Sequence, residues 1–125
     1  MTTILIVEDN DLNMKFLHDL LELNGYEIEQ AGSGHEAMAR VREHRPDLIL
    51  MDMQLPDMSG LDVTRLLKTD PGFRSIPVVA VTAYALKADE ERIRAGGCDG
   101  YVAKPIAIDG FLQTVADLTG RSRPS

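Results

Sequence analysis

Three apolar runs each lead into charged residues: Ile4-Leu5-Ile6-Val7 into Glu8-Asp9, Leu48-Ile49-Leu50-Met51 into Asp52, and Tyr101-Val102-Ala103 into Lys104-Pro105. If the runs are parallel strands of one sheet, their carboxyl ends share an edge, and three acids and one amine meet there. Such a cluster serves no packing purpose. Two unit negative charges about 4 Å apart repel by roughly 4 kcal/mol at an effective dielectric of about 20. Three acids therefore need a counter-cation, or one of them must hold a proton at neutral pH. Lys104 supplies one positive charge, and a hard divalent ion with oxygen ligands supplies the rest. Mg²⁺ suits a shallow site with few carboxylates and several retained waters, completed by a phosphate group. The chemistry that fits is cation-assisted acceptance of a phosphoryl group.

Asp52 is the expected phosphoacceptor. It follows a buried strand, which fixes its carboxylate for in-line attack on phosphorus, leaving catalysis to positioning and electrostatics. Lys104 pairs with phosphoryl oxygens as a point charge, and Pro105 makes the rigid turn, with a cis bond within its repertoire, that aims the amine. Thr82, closing a further apolar run, offers its hydroxyl to a phosphoryl oxygen. Each residue alone has a plainer reading. Asp9 and Asn10 suit a helix cap, Asp52 a solvated loop, Lys104 an ordinary surface and Thr82 a β-branched strand position. Their conjunction favours the site.

The elements that must position these residues alternate strictly. Thr3 to Val7 reads as a strand, and Leu12, Phe16 and Leu20, with Leu17 and Leu21, repeat at helical spacing up to Asn24-Gly25. Tyr26 to Ala31 is a more polar strand, suited to an edge. Ser33 and Glu36 form a capping-box pair opening a helix through Ala37, Met38 and Val41. Asp47 to Met51 is an apolar strand buried on both faces. Ser59 caps a helix carrying Leu61, Leu66 and Leu67, which Asp70-Pro71-Gly72 breaks. Val78 to Thr82, Lys87 to Ala95, Gly100 to Ala103 and Ile108 to Leu118 complete five β-α units. Such alternation predicts an α/β, doubly wound parallel sheet with helices on both faces, whose ligands bind beyond the strands' carboxyl ends.

The chain of 125 residues is long enough for one domain, expected over residues 1–120, with 121–125 a frayed tail and no output domain. With 44% hydrophobic and 26% charged residues it has a soluble globular composition. A formal net charge of -7 and the lack of a basic stripe exclude broad nucleic-acid contact. No stretch has the length of a membrane span and no signal peptide is visible, so the expected location is cytoplasmic. Cys98, the only cysteine, follows paired glycines and reads as a small buried hydrophobe. His18, His35 and His44 lack ligand spacing and read as surface residues. Met14, Met38 and Met51 read as core fillers, and Met53 and Met58 as packing beside the site loop.

Taken together, Val7-Glu8-Asp9-Asn10, Leu50-Met51-Asp52-Met53-Gln54-Leu55-Pro56 with Ser59-Gly60, Val81-Thr82-Ala83 and Lys104-Pro105 resemble the response-regulator receiver domain over residues 3 to 118. The resemblance implies the (βα)5 flavodoxin-like sandwich with strand order 2-1-3-4-5. It implies transfer from a phosphohistidine donor, a sensor histidine kinase or histidine phosphotransfer protein, to Asp52. It implies Mg²⁺ held by Asp9, Asp52 and the backbone carbonyl of Gln54, with Glu8 acting through water. It also implies a switch in which Thr82 moves toward the phosphoryl group and Tyr101 turns inward, altering the face built by the fourth helix, fifth strand and fifth helix (Lys87 to Ala95, Gly100 to Ala103 and Ile108 to Leu118) that meets a downstream signalling protein. The plainer reading of Tyr101 is a half-buried strand residue with a wet hydroxyl. The stretches Asn10 to Lys15, Asp89 to Ile93 and Gly96 to Tyr101 resemble DivK-like single-domain regulators of alphaproteobacterial cell-cycle phosphorelays. That resemblance implies a bacterial phosphoacceptor protein rather than an enzyme, monomeric or weakly dimeric, open to polar recruitment by a membrane kinase. Receivers of hybrid kinases share parts of this pattern, and a non-phosphorylated interaction domain is the alternative. A flavodoxin-like nucleotide binder would place Ser, Thr and Gly where Glu8-Asp9 stands. An aspartate-nucleophile phosphatase would carry a second Asp where Gln54 stands.

Overall fold

The computed structural model describes residues 2–83 and 87–120. Strand and helix alternate as β1 (Thr3–Val7), α1 (Asp11–Leu23), β2 (Glu27–Ala31), α2 (Gly34–Glu43), β3 (Leu48–Asp52), α3 (Gly60–Lys68), β4 (Val78–Thr82), α4 (Lys87–Ala95), β5 (Gly100–Ala103) and α5 (Ile108–Thr119). All five strands are parallel in the order β2-β1-β3-β4-β5, as the resemblance implies. Every residue of β3 and β4 is buried, which is why both read as continuous apolar runs rather than alternating ones. β2 lies at an edge, and Glu27, Glu29 and Gln30 keep that edge polar.

Alternation along the strands divides the core in two. Leu5, Val7, Ile49, Met51, Val78 and Ala80 pack against α2, α3 and α4 through Val41, Val63, Leu67 and Ile93. Ile4, Ile6, Leu48, Leu50, Val79 and Val81 face α1 and α5 through Leu17, Leu21, Phe111 and Val115. The chain leaves β1 in one direction toward β2 and returns past it to β3, so strand order reverses between β1 and β3. Glu8 and Asp9 follow the first of these strands, and Asp52 ends the other. They sit at the crevice where ligands of such sheets bind.

Local signals start the helices as expected. Asn10 Oδ1 accepts from the Asn13 N–H at 3.0 Å, Ser33 Oγ from Glu36 at 3.1 Å and Ser59 Oγ from Asp62 at 3.1 Å. Far from the crevice, Lys68 Nζ donates to the carbonyls of Arg74 and Ile76 and to Asp99 Oδ2, which also accepts from the Val78 N–H. This hub ties the end of α3 to the start of β4 and to the turn before β5.

Three expectations are corrected. β3 runs one residue later than Asp47–Met51, because the Asp47 carboxylate accepts from the Thr3 N–H while Asp52 pairs with Val81 in the ladder. On α1, only Leu17 and Leu21 of the expected apolar set are fully buried. Leu12 is 79% exposed and Phe16 42% exposed, since the sheet covers an arc centred on the 17/21 stripe and leaves the 12/16 stripe outside it. Leu66 is likewise exposed on α3, where Leu61, Val63 and Leu67 carry the burial. Cys98 is buried as expected, its thiol 3.8 Å from Thr64 Oγ1 and its pKa pushed up by that burial. The tail expected over 121–125 lies outside the described residues.

Candidate functional site

The carboxylates of Glu8, Asp9 and Asp52 converge, one oxygen from each lying within 4.8 Å of the others. Alternation explains the pairing. Glu8 continues the side of β1 that carries Ile4 and Ile6, and Asp52 the side of β3 that carries Leu48 and Leu50. Lys104 continues the side of β5 that carries Val102. Lys104 Nζ lies 3.1 Å from Glu8 Oε1 and 3.9 Å from Asp52 Oδ2, so the ammonium bridges the two buried acids and favours Glu8. Lys104 is half-buried and its peptide bond to Pro105 is cis. Its backbone N–H donates to the Thr82 carbonyl at 2.8 Å, anchoring the turn to the end of β4.

Burial separates the three acids. Glu8 is 3% exposed and Asp52 5%, whereas Asp9 stands in solvent. Asp9 lies beyond the strand, where the chain turns toward the Asn10 cap of α1. Asn10, not Asp9, does the capping.

The two buried carboxylates are shifted in opposite directions. Burial, then the hydrogen bond with Glu8, pushes the Asp52 pKa up to about 7, against the opposing Gln54 N–H and Lys104. Burial also opposes ionisation of Glu8. The bonds from Asp52, from the Asn10 N–H at 3.2 Å and from Lys104 outweigh it and hold that carboxyl below its ordinary range. Of the two, Asp52 therefore holds a proton the more tightly, as expected of one member of a pair of like charges buried side by side. With all three acids ionised, the donor set of hard carboxylate oxygens exceeds the one Lys104 ammonium by two negative charges and fits a divalent cation of the Mg²⁺ type.

Asp52 Oδ1 also accepts from the Gln54 N–H at 3.0 Å, a contact that sequence reading missed while naming the same residue for its carbonyl. The loop carrying Gln54 closes on itself through the Gln54–Ser59 bridge and a Gly60 N–H to Met53 carbonyl bond of 3.1 Å. Thr82 is buried at the end of β4. It and Tyr101 lie on the opposite side of the sheet from Glu8 and Asp52. Tyr101 is half-buried against the core beneath α2, α3 and α4, in register with the small Ala80. A cleft of about 200 Å³ beside the acids is lined by Glu8, Asn13, Phe16, Lys104, Pro105 and Ile106. The exposed Phe16 therefore borders the site rather than the core. Sequence reading also missed Asp57, which holds the first turn of α2 from the loop after β3. No periodic signal marks that contact, because its partners lie more than twenty residues upstream.

The comparisons agree with this geometry. The response regulator receiver domain family matches residues 4–116. The polar-differentiation response regulator DivK of Brucella anthropi is 56% identical over 118 residues, spanning 94% of this chain and 96% of its own length. The receiver domain of a sensor histidine kinase from Pseudomonas aeruginosa, solved with magnesium in its active-site cleft, superposes with a TM-score of 0.87 at 32% identity, covering 95% of this chain and 98% of its own. The receiver of a signal transduction histidine kinase from Syntrophus aciditrophicus does so with a TM-score of 0.89 at 34% identity, covering 100% and 96%. With a family match over nearly its whole length, a relative 56% identical across it and a shared fold, this chain belongs to the response-regulator receiver domain family.

Proposed function

We propose that Asp52 accepts one phosphoryl group from a phosphohistidine donor and that the phosphorylated chain changes its protein contacts. The observation that carries this reading is the buried Asp52 carboxylate, held between Glu8 and Lys104 with Asp9 beside it. In the transfer, an Asp52 oxygen forms the new bond to phosphorus, the bond from phosphorus to the donor's imidazole nitrogen breaks, and its electron pair leaves with that nitrogen. Asp52 must be ionised to attack, so its proton leaves first. Asp9, Asp52 and the Gln54 carbonyl would hold Mg²⁺, with Glu8 acting through water. When bound, the ion supplies positive charge against the phosphoryl oxygens. Lys104 pairs with those oxygens from the other side, and Thr82 donates its hydroxyl to one of them. On this reading the chain's own chemistry is confined to gaining and losing that group.

The added group carries nearly two negative charges. Thr82 drawn toward it leaves room on the face it shares with Tyr101, whose inward turn reshapes the surface built by α4, β5 and α5. The likeness to DivK supports a single-domain role in a bacterial cell-cycle phosphorelay, with residues 1–120 as the receiver. Its partners are then a sensor kinase or phosphotransfer protein and a downstream signalling protein. A cytoplasmic site of action accords with the lack, among the described residues, of any helix long and apolar enough to cross a membrane.

Incubation with Mg²⁺ and acetyl phosphate should add the mass of one phosphoryl group, and Asp52→Asn should add none. Uptake by Asp52→Asn would place the acceptor elsewhere, and steady release of phosphate without a phosphorylated protein would favour a phosphatase. Tyr101→Ala should take up the group at the parent rate yet lose most of the difference between phosphorylated and unphosphorylated protein in pull-down of partners. An undiminished difference would remove Tyr101 from the switch.

A further inference from the structure

The first turn of α2 is capped from two places. Ser33, its own N-cap, takes the Glu36 N–H. The N–H groups of Gly34 and His35 go instead to Asp57, at 2.8 Å to Oδ1 and 3.0 Å to Oδ2, and the His35 imidazole Nδ1 also bonds Oδ2. Asp57 lies in the loop between β3 and α3, twenty-two residues beyond His35. A helix end leaves these donors without intrahelical partners, and an ionised carboxylate bonds them about twice as strongly as a neutral acceptor does.

A second contact joins the same two segments. A Cβ built on Gly34 would lie 2.5 Å from Met58 Cγ, closer than side-chain contacts allow, and a tight 3.0 Å from Val63 Cγ2. The loop is therefore seated on the helix end, with Met58 against the backbone of residue 34 and Asp57 fastened to its N–H groups. The same loop carries Gln54, whose N–H holds Asp52 Oδ1. Its ends are fixed by β3 and α3 and by the Gln54–Ser59 bridge, which leaves the middle to Asp57.

We propose that Asp57 is a positioning residue, clamping the β3–α3 loop to the N-terminus of α2 so that the Gln54 backbone stays in place beside Asp52. The consequence for metal affinity rests on the site reading above, in which the Gln54 carbonyl is a Mg²⁺ ligand. Loosening the clamp spreads that backbone over several conformations, of which few present both the N–H to Asp52 and the carbonyl to the ion.

Amide hydrogen exchange at Gln54 in metal-free protein, paired with calorimetric titration of Mg²⁺, tests this in Asp57→Ala, Asp57→Asn and Ser33→Ala. Ser33→Ala removes the other cap of the same helix without touching the loop, so it reports what mere loss of helix stability does. Asp57→Ala should speed Gln54 exchange about tenfold and weaken Mg²⁺ binding by roughly the same factor, the weight of one charge-assisted hydrogen bond. Asp57→Asn keeps one acceptor oxygen and should fall between parent and Asp57→Ala. Ser33→Ala should leave Gln54 exchange and Mg²⁺ affinity near the parent values. Unchanged Gln54 exchange in Asp57→Ala, equal acceleration in Ser33→Ala, or faster exchange with unchanged Mg²⁺ affinity would each overturn the proposal. Selective acceleration in a protein whose parent form takes up no Mg²⁺ would uphold the clamp and sink the metal-site reading instead.

Discussion

Asp52→Asn should be more stable than the parent protein by about 2 kcal/mol at pH 8, and should lose that advantage below about pH 5. The Asp52 pKa rises from an ordinary 3.8 to about 7 in the folded chain, chiefly because the carboxylate is buried and faces Glu8. A group whose folded pKa is raised binds its proton more tightly folded than unfolded. Its contribution to stability is therefore complete below its unfolded pKa and is lost as pH climbs toward the folded value. Taken alone, a change of this size corresponds to roughly 4 kcal/mol lost between pH 4 and pH 7. The depressed Glu8 works in the opposite sense. What it contributes is present above its unfolded pKa and disappears only as pH falls through its lower folded one. Lys104, shared between the acids, tempers the repulsion further. About half the single-group figure should remain. Asn cannot ionise, so the variant escapes the loss. Urea unfolding with a chelator at pH 4.5, 6 and 8 measures the gap, and parallel profiles would show that Asp52 is ionised throughout. Millimolar Mg²⁺ should narrow the gap at pH 8, because ligand binding stabilises only the protein with an intact site. Its affinity should weaken about tenfold from pH 8 to pH 6, as the proton on Asp52 competes with the ion.

Gly60→Ala should cost about 3 kcal/mol or more and abolish phosphoryl uptake by what remains folded. A Cβ at residue 60 would lie 2.1 Å from the Asp52 carbonyl oxygen and 2.9 Å from Met51 Cγ. The first obstacle is backbone, so no side-chain rotation relieves it. Nor can residue 60 retreat easily. Its N–H is bonded to the Met53 carbonyl at 3.1 Å, and its own carbonyl accepts from Thr64 Oγ1 at 2.9 Å. What must yield is the end of β3, the segment that presents the Asp52 carboxylate. Gly110→Ala is the control. It lies inside α5, where the new methyl would meet no atom of the described residues within 4 Å apart from its chain neighbours and its own helix backbone, and should gain about 0.5–1 kcal/mol from helix propensity. A Gly60→Ala protein as stable as the parent would show that the loop after β3 relaxes at little cost.

Much of the architecture was legible because its signals are local. The bounds of β4, α4 and β5 agree with the expected ones, since Pro77, the paired Gly96-Gly97 and the apolar runs mark their ends. The three capping side chains act within three residues of their targets. The acid cluster was legible for the same reason. Parallel strands put all carboxyl ends on one edge, so a charged residue after an apolar run has its place assigned by topology. Where reading along the chain failed, the deciding contact was distant. Leu12 and Phe16 have the right spacing for a core stripe, but the sheet's position relative to α1 chose Leu17 and Leu21.

Residue order alone therefore dictates the alternation of elements, the doubly wound sheet and the edge at which Glu8, Asp9, Asp52 and Lys104 lie, because each follows from neighbours a few positions apart. Packing settled the rest. It chose Glu8 over Asp52 as the nearer partner of Lys104, left Asp9 in water, raised the Asp52 pKa and brought Asp57 to α2. Those outcomes depend on burial and on distances between segments far apart in the chain, and only the folded backbone sets either.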